Sequence, residues 1–261
     1  MKKLFIILFD LLIIALLLLA LGFSSNRENE VLCAEVRINM IDTLNSGFLK
    51  KTDIEKVLLA EGNEILGYPI RNINTRDLES KLMTMPYIKS AEIYSSMNGV
   101  MRVDIVQRKP VVRIFTRSNN TYYLDRQGYI FPSGKGFTPH VLIANGYFTE
   151  SKEIKNSKNL WELEDYEKFS EWFDALELAN FINKDDFWRS NIVQAYYNSR
   201  GDFELIPRVG AHQIIFGEIE DKEKKFEKLM TLYEEGLEYE GWNSYEKINL
   251  KYKNQVICTK R

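Results

Sequence analysis

The sequence has few of the residues on which metal centres and disulfide frameworks depend. Its 261 residues include two cysteines, Cys33 and Cys258, and two histidines, His140 and His212. Because such sites need several of these residues at close spacing, we expect no metal site, no cofactor and no disulfide framework. The chain also has no basic excess, since 35 Lys and Arg stand against 37 Asp and Glu. Nucleic acid is therefore not an expected partner.

Motifs for phosphate binding and nucleophilic catalysis are absent as well. Residues 133–136, Ser-Gly-Lys-Gly, do not complete a phosphate loop, because residue 129, where the loop needs its first glycine, is tyrosine, and residue 136, where it needs Ser or Thr, is glycine. No G-x-S-x-G motif occurs. His140 and His212 each adjoin a strand-like segment, which favours structural roles over catalysis. The sequence singles out no carboxylate pair either, so we predict no catalytic, cofactor-binding or metal-binding residue and no enzyme activity.

One long apolar run lies at the N-terminus. Leu4–Phe23 follows two lysines and is interrupted only by Asp10, and about 20 residues is the length that a helix needs to cross a membrane. We therefore predict a cytoplasmic tail (residues 1–3), a transmembrane helix (4–23) and a linker (24–34). Lysines before the run and acidic residues after it predict type II topology. A cleaved signal peptide is the alternative, because Ala20-Leu21-Gly22 resembles a cleavage site.

Residues 35–108 combine strand and helix patterns. Val36 and Ile38 alternate with polar residues, which is typical of a half-buried strand. Two helices should follow, the first started by a capping box at Thr52–Glu55 and the second capped by Asn74. An Asn-Gly turn then predicts a hairpin, which completes a β-α-α-β-β order. One core should contain Val36, Ile38, Val57, Leu58, Leu78, Leu82, Ile93, Val103 and Ile105.

Residues 109–261 carry mostly strand patterns. A hairpin is expected through Tyr122–Phe131, and apolar residues recur at helical spacing in Trp161–Phe181 and Phe226–Leu237. A last strand is expected over Ile248–Cys258, with its even-numbered apolar residues on the core side. We therefore predict an α+β protein with a single N-terminal transmembrane helix, a β-α-α-β-β domain and a mixed α/β, strand-rich domain.

Several segments together resemble the FtsQ/DivIB cell-division proteins. Pro86–Ile93 and Arg102–Val111 are similar to the end of that family's POTRA domain. Tyr123–Pro132, His140–Gly146 and Ile248–Tyr252 resemble successive parts of its β-domain. The likeness covers essentially the whole chain in the right order. The family often has Asp and Arg at the positions of residues 249 and 251, which here are Asn and Lys.

The resemblance implies a non-enzymatic scaffold of the divisome, anchored in the bacterial cytoplasmic (inner) membrane at the division septum, with its bulk periplasmic or extracytoplasmic. It implies a POTRA domain at 35–108 and an FtsQ-type β-domain at 109–261. Expected partners are division proteins of the FtsB/FtsL type at the C-terminal edge strand and other divisome components at the POTRA domain. The expected partner-binding residues, which would act by strand addition, are Ile248, Asn249, Leu250, Lys251, Tyr252, Lys253, Asn254 and Val256.

Two other functions remain open from the sequence. A membrane-tethered extracytoplasmic cell-wall enzyme would show convergent carboxylates with perturbed pKa values in a cleft. A POTRA-type polypeptide-handling protein would need a C-terminal barrel of alternating strands of about ten residues each, for which residues 109–261 are short.

Overall fold

The computed structural model describes residues 9, 11–19, 31–41, 47–60, 65–134, 136–156, 158–165 and 167–261. Residues 11–19 are helical, and their side chains are exposed. In this described part of the chain, no helix combines the length and apolarity that a membrane crossing needs. The predicted cytoplasmic tail, Asp10, much of the predicted span and the linker up to residue 30 lie outside the described residues. The chain divides into two compact units, Met1–Arg108 and Lys109–Arg261.

The first unit contains a three-stranded mixed sheet and two helices. In chain order its elements are β1 (Glu35–Ile41), α1 (Lys51–Leu58), a 3-10 turn (Ile70–Asn72), α2 (Thr75–Met83), β2 (Ile88–Ser95) and β3 (Val100–Gln107). The strand order is β1-β3-β2, in which β1 is parallel and β2 antiparallel to β3. The predicted β-α-α-β-β order is confirmed.

The helix starts in this unit were predicted with mixed success. Asn74 caps α2 as expected, because its Oδ1 accepts a hydrogen bond from the Asp77 N–H at 3.2 Å. The capping box at Thr52–Glu55 is wrong: α1 begins at Lys51, and the Asp53 carboxylate accepts the Lys50 N–H at 2.9 Å. Ile38, Leu58, Leu78, Leu82, Ile93, Val103 and Ile105 are buried in one core, and Val36 and Val57 pack against it, as predicted.

The second unit is built on a nine-stranded mixed sheet. Its strands are β4 (Pro110–Phe115), β5 (Thr121–Asp125), β6 (Ile130–Pro132), β7 (Leu142–Gly146), β8 (Ile192–Tyr197), β9 (Phe203–Pro207), β10 (Gln213–Gly217), β11 (Tyr245–Asn249) and β12 (Ile257–Lys260). They lie in the order β12-β11-β10-β9-β8-β7-β4-β5-β6. The predicted hairpin through Tyr122–Phe131 corresponds to β5 and β6, which pair antiparallel.

The helices of this unit follow β7 and β10. They are α3 (Lys152–Asn156), α4 (Ser170–Ile182), α5 (Asp186–Asn191), α6 (Lys222–Thr231), a π-helical segment (Leu232–Leu237) and α7 (Glu238–Glu240). The single helix expected over Trp161–Phe181 is wrong. Its first part forms two 3-10 turns, Leu160–Glu162 and Glu167–Phe169, and α4 begins only at Ser170. Asn159 fixes the first turn, because its side chain accepts the Trp161 N–H.

The helices cover one face of the nine-stranded sheet. Trp172 of α4 and Phe226 of α6 are buried in the same cluster as Ile114 and Leu205 of the sheet. Side chains at the alternating positions point to the opposite face, which carries polar side chains and also the buried aromatic rings of Tyr123 and Phe131. There the Gln194 amide donates to Asn145 at 3.0 Å and the Gln213 amide donates to Glu204 at 2.6 Å. The sheet therefore has one helix-covered face and one face of mixed polar and apolar character, which we call the mixed face.

Candidate protein-binding edge

The nine-stranded sheet ends in two edge strands, and their outer edges differ. At β6, Ile130 donates its N–H to the Lys158 carbonyl at 2.9 Å, and Pro132 has no N–H. A further bridge joins Tyr129 to Asn159. At β12, none of the described strands pairs with the outer edge. Because alternate residues of an antiparallel strand point their N–H and C=O groups away from the partner strand, β12 offers unpaired donors and acceptors.

The chain reaches this edge through a hairpin. β11 lies parallel to β10, with Ile248 opposite Ile214, and β12 returns antiparallel to β11, with Cys258 opposite Ile248. The predicted single strand over Ile248–Cys258 is therefore wrong, because β11 ends at Asn249. The Asn249 side chain accepts the Lys251 N–H at 3.0 Å, which turns the backbone away from the strand direction.

Two lysines hold the turn between β11 and β12. Lys228 of α6 donates to the carbonyls of Leu250 at 3.1 Å and Tyr252 at 2.5 Å. Burial lowers the pKa of Lys228. The Nζ of Lys251 lies 2.7 Å from the Asp202 carboxylate, and the stem of Lys251 crosses Gly217, where an added Cβ would stand 2.9 Å from the lysine Cγ. The turn is thus attached to both α6 and the sheet.

The far end of β12 is also attached to neighbouring segments. Arg261 donates from its guanidinium to the Ala211 carbonyl at 2.7 Å and from its N–H to the Ser244 carbonyl at 3.2 Å. The Nζ of Lys260 lies 3.6 Å from the Glu240 carboxylate. Because both ends of β12 are fixed, a partner strand would meet an edge that is already ordered, which lowers the entropic cost of binding.

The expected partner-binding residues divide into three groups in the structure. Ile248 and Leu250 are fully buried, so their side chains pack in the core. Asn249 and Val256 are half-buried. Lys251, Tyr252, Lys253 and Asn254 are exposed, but they lie in the turn and not on the edge strand. The edge strand itself consists of Ile257–Lys260, which the expected site did not include. In the sequence, the short apolar run at residues 256–258 could have predicted this strand.

A cluster of carboxylates beside α4 is an alternative candidate site. Burial, together with the carboxylates of Glu220, Glu177 and Glu171, raises the pKa of Asp174 to about 7. Glu177 lines a cavity of about 400 Å³ beside Trp161, and Asp174 does not. Among the described residues, no group of three or more His, Cys, Asp or Glu is placed to hold a metal ion. Asp174 and Glu171, whose pKa values burial raises, do not line this cavity.

The two histidines lie in different surroundings. His212 is buried, and its Nε2 lies 2.8 Å from the Tyr233 hydroxyl. Burial lowers the pKa of His212, which favours the neutral imidazole. His140 is exposed and lines a cavity of about 180 Å³ with Arg189 and Arg208. Within the described ranges of the chain, neither histidine is hydrogen-bonded to a serine or cysteine side chain that it could activate.

Comparison with known proteins covers both units. Residues 109–259 match the family described as FtsQ/DivIB, C-terminal related, and residues 31–106 match a POTRA-like domain. The chain is similar to the cell division protein FtsQ of Rhodothermus marinus, with 24% identity over 177 residues. That match covers 66% of this chain and 60% of the relative, so the chain spans about 60% of the length of the curated relative.

Proposed function

The chain belongs to the family described as FtsQ/DivIB, C-terminal related, which implies a role in cell division, and from this we propose that it is a non-enzymatic, membrane-anchored scaffold of the divisome. It recruits division proteins of the FtsB/FtsL type to the septum. The observation that carries the proposal is the outer edge of β12: no strand among the described residues pairs with it, and the strand is fixed at both ends, while the opposite edge of the sheet, at β6, is blocked.

Strand addition fits the chemistry of this edge. A partner segment in extended conformation would satisfy the unpaired backbone groups of β12, and side chains on alternate positions would supply specificity. Ile257 and Thr259 point to the mixed face of the sheet, and Ile257 is 43% exposed. Tyr252 in the preceding turn adds an exposed aromatic ring with a hydroxyl group. Lys253 and Lys260 discourage indiscriminate pairing.

The membrane anchor in this proposal rests on the sequence. Leu4–Phe23 is long and apolar enough to span a bilayer as a helix. The described residues within it, Phe9 and 11–19, are helical and expose their side chains. We place the N-terminus in the cytoplasm and both compact units outside it. A role for the POTRA-like domain in contacting other divisome components belongs to the same proposal.

The test compares two isoleucines on the same face of the sheet. Ile257 on β12 and Ile143 on β7 are similarly exposed, 43% and 37%, and five strand spacings, about 24 Å, separate their strands. The full chain is co-expressed with the FtsB-type and FtsL-type proteins of the same organism. We expect Ile257→Glu to weaken co-purification at least about tenfold, because the glutamate charge would be buried between β12 and the partner strand. We expect Ile143→Glu to leave co-purification unchanged.

Circular dichroism of both variants checks that the sheet remains folded. Undiminished co-purification by a folded Ile257→Glu variant would move the interface away from β12. Equal loss in both variants would show that the mixed face of the sheet, and not the edge, binds the partner.

A further inference from the structure

Three segments of the first unit meet at one end of its sheet. The strand-like residues 31–33 run antiparallel to residues 67–70: Cys33 donates to the Tyr68 carbonyl, Gly67 donates to the Cys33 carbonyl, and Leu32 lies opposite Pro69. The turn between β2 and β3 joins them, because Ala34 donates its N–H to the Gly99 carbonyl at 2.8 Å. These contacts fix the relative positions of residues 31–34, 65–69 and 96–99, which we call the entry end.

The entry end exposes several large apolar side chains. The exposed fractions are 51% for Leu32, 54% for Leu66, 42% for Tyr68 and 85% for Met97. Single exposed apolar residues are ordinary on protein surfaces, but a group of them on adjoining segments marks a contact surface. The nearby side chains of Glu35 and Arg37 are paired with each other at 2.8 Å. This pair therefore adds no net charge to the entry end that would repel a partner.

The short segment between the apolar run and Val31 indicates that the membrane is the partner of this surface. Seven residues, Ser24 to Glu30, separate the apolar run from Val31. At about 3.5 Å per residue, the eight steps from Phe23 to Val31 extend to roughly 28 Å at most. The entry end is also where the chain enters the unit, since β1 begins at Glu35 and runs away from it. A span over Leu4–Phe23 therefore keeps the entry end within a short distance of the membrane surface.

We propose that the entry end is a membrane-contact surface, in which Leu32, Leu66, Tyr68 and Met97 insert into the interface of the outer leaflet. The inference rests on the membrane anchor of the proposed function. Leucine and methionine side chains gain from burial at the acyl boundary, and tyrosine is suited to the headgroup level because its ring is apolar and its hydroxyl polar. Such contact would restrict the orientation of the first unit relative to the bilayer.

The experiment uses the full chain reconstituted in vesicles of phosphatidylethanolamine and phosphatidylglycerol. Cys33 and Cys258 are replaced by alanine, and an environment-sensitive NBD probe is attached to a single cysteine at position 66, 97 or 41. Ile41 is the matched control, because it is 40% exposed and lies at the opposite end of β1, about 20 Å from Glu35.

We expect the probes at 66 and 97 to emit at shorter wavelength than the probe at 41. Doxyl-labelled lipid should quench them at least about twofold more strongly, since an interfacial side chain lies about 5–10 Å into the boundary region. Equal quenching at all three positions would overturn the membrane contact and leave the surface to a protein partner.

Flotation of the vesicles after carbonate extraction separates this result from a failure of the anchor. A chain that floats with the lipid but shows water-exposed probes retains its anchor and lacks the contact. A chain that is stripped from the vesicles overturns the anchor and the contact together. Circular dichroism of each labelled protein shows that the alanine replacements have not unfolded the first unit.

Discussion

Four carboxylates lie close together beside helix α4. Glu171, Asp174 and Glu177 belong to α4, and Glu220 lies just before α6. Lys222 pairs with Glu177 at 2.8 Å. Asp174 is half-buried, and its pKa is raised first by burial and then by the charges of Glu220, Glu177 and Glu171. Burial likewise raises the pKa of Glu171. The group therefore costs stability when it is fully ionised.

The pH dependence of stability should show this cost. Because the pKa of Asp174 is higher in the folded chain, about 7, than in the unfolded chain, about 4, its contribution is fully present below pH 4 and is lost as the pH rises to 7. We expect Asp174→Asn to increase the free energy of unfolding at pH 8 by about 1–2 kcal/mol, less than the full pKa difference because water partly screens the group.

Urea unfolding of both proteins at pH 5 and pH 8 measures the difference. The stabilising effect of Asp174→Asn should be smaller at pH 5, where the aspartate of the parent chain is largely protonated. An equal effect at both pH values would mean that the substitution acts through packing and not through ionisation.

At the scale of elements, the correct predictions concern strands and helices in which apolar residues recur at one regular spacing from end to end. The alternation of β1 and the helical stripe of α2 were predicted from neighbouring residues alone, and the core they form is confirmed. The reversal after β11 could not be predicted in this way. Asn249 contributes to it locally, but Lys228 and Asp202, which hold the turn, lie far away in the sequence, so residues 248–258 contain only part of the signal.

A similar limit explains the false helix over Trp161–Phe181. Trp161 does not continue a helix: its indole N–H donates to the Gln127 carbonyl at 3.1 Å, and its ring packs against Phe173 at 5.2 Å between centroids. The apolar residues before α4 that do reach the core, Leu160 and Phe169, do so from the two 3-10 turns. The apolar spacing over Trp161–Phe181 matches that of a helix, but the positions of Leu160 and Phe169 are set by packing against the core and not by a helical backbone.

Lys228 offers a test of how the edge is positioned. Replacing it with methionine keeps most of the stem and removes both hydrogen bonds to the turn, which should cost the turn about 1–2 kcal/mol of local stability. Hydrogen–deuterium exchange in residues 250–260 should then accelerate about five- to thirtyfold, and co-purification of the FtsB-type protein should fall. Lys224→Met is the matched control, since Lys224 lies on the same helix and its ion-pair partner among the described residues is Asp221, at 3.4 Å.

Protection of residues 250–260 that is unchanged in Lys228→Met would show that the Lys251–Asp202 pair and the Arg261 contacts suffice to hold β12. Faster exchange without loss of the partner would instead show that binding orders the edge and does not require it to be ordered beforehand.

At the scale of the whole molecule, the resemblance to the FtsQ/DivIB proteins is confirmed by matches to both units. It could be recognised because it depends on the order and separation of several short segments, each of which keeps its local pattern. The exposure of the expected partner-binding residues was harder to predict, because exposure is a property of the assembled sheet. Ile248 and Tyr252 have the same parity in the sequence, yet Ile248 is fully buried and Tyr252 is 48% exposed.

The two units have separate hydrophobic cores, and this should be visible in unfolding. Leu82 is fully buried in the core of the first unit, and Leu205 is fully buried in that of the second. Replacing either leucine with alanine leaves a cavity, which should lower the free energy of unfolding of its own unit by about 2–5 kcal/mol. Differential scanning calorimetry of the full chain should show Leu82→Ala shifting one transition and Leu205→Ala shifting the other. If the chain instead showed one transition that both substitutions lowered, the units would unfold as one cooperative body, and a partner bound at β12 would then stabilise the POTRA-like unit as well.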